Sequence, residues 1–215
     1  MRILNLFAGI GGNRTLWGNK HEITAIEFDP NIATVYKQRF PNDKVIVEDA
    51  YKFLELNYEE FDFIWASPPC PSHSRLRTMP NMRNILPDFH LYAIITFLDY
   101  WFKGKYCIEN VIPYYPYVVK PTVLLGRHPF WANFNIPIKG FIRENKHQNH
   151  NYELLLKEHN INEELFQNKT KTFSMKVLDN CVDYRIGKYI LDCVKITKQY
   201  TLKDCGHELG TKRET

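Results

Sequence analysis

The strongest constraint on this chain is a run of short apolar segments, each closed by glycine, proline or an acid. "RILNLF" (residues 2–7) stops at "AGIGG", "EITAIEF" (22–28) at Asp29-Pro30, and "FDFIWAS" (61–67) at Pro68-Pro69, while "KVIVED" (44–49) and "YCIENV" (106–111) carry their acids themselves. Helical stretches separate the runs. Asp29 can cap and Pro30 can open a helix through "NIATVYKQRF", and "LYAIITFLDYWF" (91–102) has helical length and ends at Lys103-Gly104. Strands alternating with helices predict an α/β fold with a doubly wound, mostly parallel sheet covered on both faces.

In such sheets, ligands bind beyond the carboxyl ends of the strands. Gly9, Glu27, Asp49, Cys70 and Glu109 all fall there. The glycines of "FAGIGG" allow backbone N–H groups to approach a ligand, although a plain tight turn would use the same residues. Glu27 suits the two hydroxyls of a ribose, against helix-dipole or solvent contact. Asp49 can accept from an adenine amino group, or simply cap the next helix. Cys70 sits between prolines in "SPPCPSHSR" and is either a nucleophile in a stiff loop or a buried thiol in a turn.

Taken together, the blocks "NLFAGIGG", "EFDP", "EDA", "SPPCPSHSR" and "IENV" resemble the cytosine-C5 DNA methyltransferases in kind and order, over residues 3 to about 111. The resemblance implies a Rossmann-like methyltransferase fold that uses S-adenosylmethionine. Phe7, Ala8, Gly9, Gly11, Gly12, Glu27, Phe28, Asp49, Ala50 and Pro68 would then form the cofactor site. Cys70 would attack cytosine C6 and Glu109 would be its acidic partner, on a nucleotide flipped out of the duplex. Ser72, His73, Ser74, Arg75 and Arg77 would contact DNA from a mobile loop, with an ordinary surface histidine an equal reading of His73.

The likeness thins after residue 111. Where the family has a glutamine-x-arginine-x-arginine block, "LLGRHPFWANF" offers Arg127 as a third catalytic residue or as a structural ion pair. "RIGKYI" keeps Gly187 of a late block but has Arg185 and Lys188 in place of amides. The expected organisation is a catalytic core over 1–134, a minimal recognition or DNA-contacting insertion over 135–180, and a helix returning to the core with a tail over 181–215. Lys139, Phe141, Arg143, Lys146, His147 and Asn149 suit a small nucleic-acid loop or a merely polar one.

Composition limits the alternatives. With 215 residues, 44% of them hydrophobic, the chain can bury one substantial core, and 28 basic against 24 acidic residues leave a net charge of +4. The five cysteines form no C-x-x-C pair, so no disulfide framework and no metal site is expected. No apolar run approaches the roughly 20 residues of a membrane span, so a cytoplasmic protein is expected. The leading reading is methylation of cytosine C5 in double-stranded DNA, as in restriction-modification, with a second subunit or a homodimer supplying recognition. The alternatives are the same reaction on RNA, or a non-catalytic DNA-binding or regulatory subunit that kept the fold.

Overall fold

The computed structural model describes residues 1–79, 85–141 and 151–196, without the side chains of residues 76, 77 and 196. Seven strands form one sheet: β1 (Arg2–Leu6), β2 (Glu22–Glu27), β3 (Lys44–Val47), β4 (Phe63–Ala66), β5 (Lys105–Glu109), β6 (Val123–Leu125) and β7 (His128–Ala132). Their order is β3-β2-β1-β4-β5-β7-β6. The first five run parallel, and the β6–β7 hairpin is laid antiparallel on β5. This is a Rossmann-like, doubly wound α/β sheet with an antiparallel hairpin at one edge, as the sequence predicts.

Helices cover both faces. α1 (Pro30–Arg39), α2 (Ala50–Asn57) and α3 (His90–Trp101) are the crossovers, while α4 (Tyr152–His159), α5 (Lys171–Asp179) and α6 (Tyr184–Ile196) follow the hairpin. Alternation along β1 serves two cores: Leu4 and Leu6 pack with Ile94, Ile95 and Leu98 of α3, and Ile3 packs with Ile186 and Ile190 of α6. All four residues of β4 are buried, as a central strand covered on both faces requires. β3, at the edge, leaves Lys44 and Val47 exposed.

After the glycine turn the chain makes only a short 3₁₀ segment, Asn13–Leu16, and α6 packs on it. Two buried polar links hold this segment. Asn13 Nδ2 donates to Asn5 Oδ1 at 2.8 Å, and Arg14 forks onto Asp43 at 2.8 and 3.0 Å. Removing one partner of a buried ion pair leaves a bare charge and costs about 3–5 kcal/mol.

Residues 151–179 do not form a separate unit. Leu155, Leu156, Ile161, Phe166, Val177 and Leu178 share one core with Ile10 of the glycine turn and Val35 of α1. α4 ends at Asn160, which adopts left-handed backbone (φ 52°) before a 3₁₀ turn, Glu163–Phe166. Arg143, Lys146, His147 and Asn149 lie outside the described residues. Lys139 is drawn over the Tyr189 ring of α6, 4.9 Å from its centroid.

The returning helix explains why one element of the late block survives. A Cβ on Gly187 would stand 2.2 Å from the Asn13 carbonyl oxygen and 2.7 Å from its Cα, both backbone atoms. The replaced amides matter less. Arg185 is taken up by Asp183 and Lys188 by Asp192 on α6 itself.

Gly187→Ala should therefore force α6 off the Asn13 segment, at a cost of about 1–3 kcal/mol. The thermal midpoint should fall by roughly 2–4 °C for each kcal/mol. Gly140→Ala, where a Cβ meets open space, should leave the midpoint unchanged, and equal midpoints for the two variants would refute this account.

Candidate active site

The strand order sets the row of candidate residues. Moving from β3 to β7 along the carboxyl edge of the parallel strands come Asp49, Glu27, the turn at 7–12, Cys70, Glu109 and, at the start of the antiparallel β7, His128. The chain reverses its direction of winding between β1 and β4, where a crevice opens in sheets of this kind.

The cofactor half is built on backbone strain. Phe7 has φ 54°, rare for an aromatic residue, and its ring meets Tyr51 edge-on at 4.9 Å. Such conformations cost of order 1–3 kcal/mol and persist where the surroundings over-determine them. Here the Ala8 N–H donates to the Ile26 carbonyl at 3.0 Å and the Gly9 N–H to Glu27 Oε2 at 2.9 Å, while Glu27 Oε1 accepts from the Asp29 N–H at 2.9 Å.

The three glycines of the turn differ in purpose. Gly9, at φ 55°, has nothing within 4 Å of a would-be Cβ. At Gly11 that atom would strike the Phe40 and Tyr36 rings, and at Gly12 the Val182 carbonyl oxygen at 2.5 Å. Gly11 and Gly12 are thus glycines because the protein itself closes on the place a Cβ would occupy. Gly9 is the one with open space. Ala8, Ala50 and Pro68 are buried, so only their backbone is placed near the edge. Phe28 is 75% exposed beside Glu27. Asp49 takes the capping role, with Oδ1 accepting from the Tyr51 and Lys52 N–H groups at 2.8 and 3.2 Å.

The Cys70 half is held from two sides. Asn110 Nδ2 donates to the Pro68 carbonyl at 3.0 Å and joins the loop after β4 to the end of β5. On the far side, the Cys70 carbonyl accepts from the His73 and Ser74 N–H groups, Ser74 bridges to Pro113, and the Tyr114 N–H donates to the His73 carbonyl. Burial, and then the nearby Glu109 carboxylate, push the Cys70 thiol above its ordinary value. The resting side chain is a protonated thiol near neutral pH. Glu109, 7% exposed, is near enough for its charge to act on Cys70's sulfur and has His128 Nδ1 2.6 Å from its Oε1.

Two expectations need correcting. His73 is only 1% exposed: its Nδ1 contacts the Tyr115 hydroxyl, which also accepts from the Tyr92 hydroxyl at 3.2 Å, and burial pushes its pKa down. It is an internal pillar of the Cys70 loop and does not reach the surface. Arg127 is exposed in the tight turn between β6 and β7, and its neighbour His128 is the residue against Glu109. Of the other loop residues, Ser72 Oγ accepts from the Asp88 N–H at 3.0 Å, Ser74 is half-buried and Arg75 is exposed. The Arg77 side chain lies outside the described residues.

Asn110, Tyr115 and His128 were missed in sequence. Asn110 stood in view within "IENV". His128 follows the arginine that drew attention, and its alternation with Phe130 on β7 was the signal available.

With this geometry in place, comparison with known proteins becomes informative. Residues 1–85, from β1 through the Cys70 loop, match the family described as C-5 cytosine-specific DNA methylase. Over those residues the chain is similar to that family. No curated protein sequence matches the chain. Among solved structures, a mutant of Spodoptera frugiperda DNMT2 is 26% identical over 51% of this chain and 35% of its own, with a TM-score of 0.37. A putative DNA modification methyltransferase encoded within an E. coli prophage is 19% identical over 53% of this chain and 32% of its own, at 0.36. A hypothetical protein of Thermus thermophilus is 19% identical over 61% and 73%, at 0.42. The chain spans about a third of the length of the first two. Among the described residues there is no cluster of three or more metal-ligating side chains, and no helix is long and apolar enough to cross a membrane.

The raised thiol pKa has a direct consequence. Cys70 should be alkylated by iodoacetamide at pH 8 more slowly than an unperturbed thiol, as read by mass spectrometry of its peptide. Glu109→Gln removes the repelling charge and should speed that reaction several-fold. An unchanged or slower rate would show that the carboxylate does not act on the sulfur.

Proposed function

We propose that this chain transfers a methyl group to C5 of cytosine in DNA, through a covalent bond between Cys70 and C6 of a flipped-out base. The observation that carries the reading is the meeting of a half-buried thiol and a buried carboxylate at adjacent strand ends, clamped together by Asn110. The family matched by residues 1–85 is the second support.

S-adenosylmethionine suits the residues at the other end of the row, and when bound it supplies an electrophilic methyl group. Gly9 leaves room for close approach, Glu27 presents its carboxylate to a ribose, and the exposed Phe28 ring offers a stacking face for adenine. Asp49 can contribute only the capacity its capping bonds leave free.

The chemistry of Cys70 and Glu109 follows from their charges. C5 is a weak nucleophile, so the sulfur first adds to C6, and the electron pair of the C5–C6 double bond moves toward N3 and O2. The thiol proton passes to Glu109, whose carboxylate otherwise repels the sulfur's charge, and Glu109 then gives that proton to N3 as the ring becomes anionic. Once C5 has been methylated, a base removes its hydrogen, the S–C6 bond breaks and the sulfur leaves as thiolate. Until a base arrives the nucleophile stays protonated and unreactive. Arg75 and the exposed end of the 72–79 segment are placed for phosphate contact. The short region after β7 suits a small target site, with any further recognition supplied by a second copy or another chain.

Duplex DNA containing 5-fluorocytosine tests this reading. Fluorine cannot leave as a cation, so with S-adenosylmethionine present the wild type should form a stable protein–DNA adduct, seen as a shift on a denaturing gel. Cys70→Ala should form none. No adduct on the wild type, or one that survives the substitution, would refute the assignment, and a matched RNA strand reports the other substrate.

A further inference from the structure

His128 is the first residue of β7, which runs antiparallel to β5 with Phe130 opposite Glu109. Being two residues before Phe130, His128 lies on the same face and diagonally across from Glu109, within reach of a long side chain. The reach is used: Nδ1 stands 2.6 Å from Oε1 of the buried carboxylate, while the imidazole is about a third exposed toward the carboxyl edge of the parallel strands. The ring is close but not aligned for a hydrogen bond in the free protein. Such catalytic contacts commonly tighten when substrate arrives. The neighbouring Arg127 is exposed, and the sulfurs of Cys70 and of the buried Cys107 are titratable groups in Glu109's field.

We propose that His128 is the positioning residue of Glu109: an Nδ1–H donates to Oε1, so that the proton Glu109 delivers to the pyrimidine is carried on Oε2. The inference rests on the reading of Glu109 as the acid in cytosine methylation. Its physical basis is that a carboxylic acid has one oxygen that donates and one that only accepts. Left to itself, the group can rotate and present the wrong oxygen to the base. A donor fixed at Oε1 makes that oxygen the acceptor, stops the rotation and leaves Oε2 as the acid. The hairpin turn at Gly126-Arg127 holds the imidazole at this place, because β7 is locked to β5 through Phe130 and Trp131 in the core.

The experiment measures methyl transfer to a cytosine-containing duplex by wild type, His128→Ala, His128→Asn, Glu109→Gln and the double variant His128→Ala/Glu109→Gln. Thermal midpoints are recorded for each full-length chain. His128→Ala should lower kcat at least tenfold, with KM for DNA and for S-adenosylmethionine within twofold of wild type. His128→Asn, whose amide nitrogen overlays Nδ1, should restore kcat to within about threefold of wild type. In the Glu109→Gln background, His128→Ala should add no further loss.

The proposal is overturned if His128→Ala keeps kcat within twofold, raises KM alone, or is not rescued by asparagine. It is equally overturned if the two substitutions multiply as independent losses. If His128→Ala is too unstable to assay, the asparagine variant decides: a kcat reduced well over threefold from wild type, in a chain of unchanged midpoint, overturns it. A wild type without methyl transfer, or a Glu109→Gln variant as fast as wild type, instead removes the underlying reading of the site.

Discussion

The hydrogen bond from Asn110 Nδ2 to the Pro68 carbonyl is the contact on which the candidate site turns. Parallel strands fix their own ends within a few ångströms, but the loops beyond them are free to diverge. Cys70 is four residues past the end of β4, beyond two prolines that remove backbone donors from that loop. A side chain from the adjacent crossover supplies the missing donor. It comes from the residue next to Glu109, so the tether that holds the sulfur's loop and the carboxylate that meets the sulfur move together. A buried amide left without its partner would cost about 1–3 kcal/mol.

Behind Cys70 a second set of contacts acts in the same direction. His73 is sunk among Tyr92 and Tyr115, and the segment around it pairs with the chain following β5. The loop is therefore anchored on both sides of the sulfur up to Arg75.

Much of this was legible in the sequence because it depends on local chemistry. Short apolar runs closed by glycine, proline or an acid located the five parallel strands, Asp29-Pro30 located the start of α1, and the residues at strand ends fell along one edge. What stayed hidden depends on contacts between distant segments. Nothing in "FAGIGG" distinguishes Gly9, which faces open space, from Gly12, which is closed off by Val182 some 170 positions away. The burial of His73 needed Tyr115 and Tyr92 to be brought around it. Arg127 attracted the catalytic assignment because arginine is the conspicuous ligand for a charged site. A tight turn, however, points its residues to solvent, and the strand register selects the next side chain instead. Residues 135–180 read as a minimal recognition insertion because they stand where the family carries its recognition domain, yet within them the leucines of α4 and Phe166 help build a core with Ile10 and Val35.

That use of residues 151–179 bears on how so short a chain can work. The glycine turn needs support underneath, since Phe7 is strained and the 3₁₀ segment after it is too short to form a helix of its own. α6 provides that support from one side, with Gly187 on Asn13, and α4 and α5 provide it from the other through Ile10. Segments that in a longer chain could reach outward are spent here on holding the cofactor edge in shape. On the proposed reading, contact with the target then falls to the side chains left on the carboxyl edge, such as Arg75 after Cys70. Specificity drawn from so few side chains has to be read over few base pairs, because each good bidentate contact supplies only about 1–3 kcal/mol of discrimination.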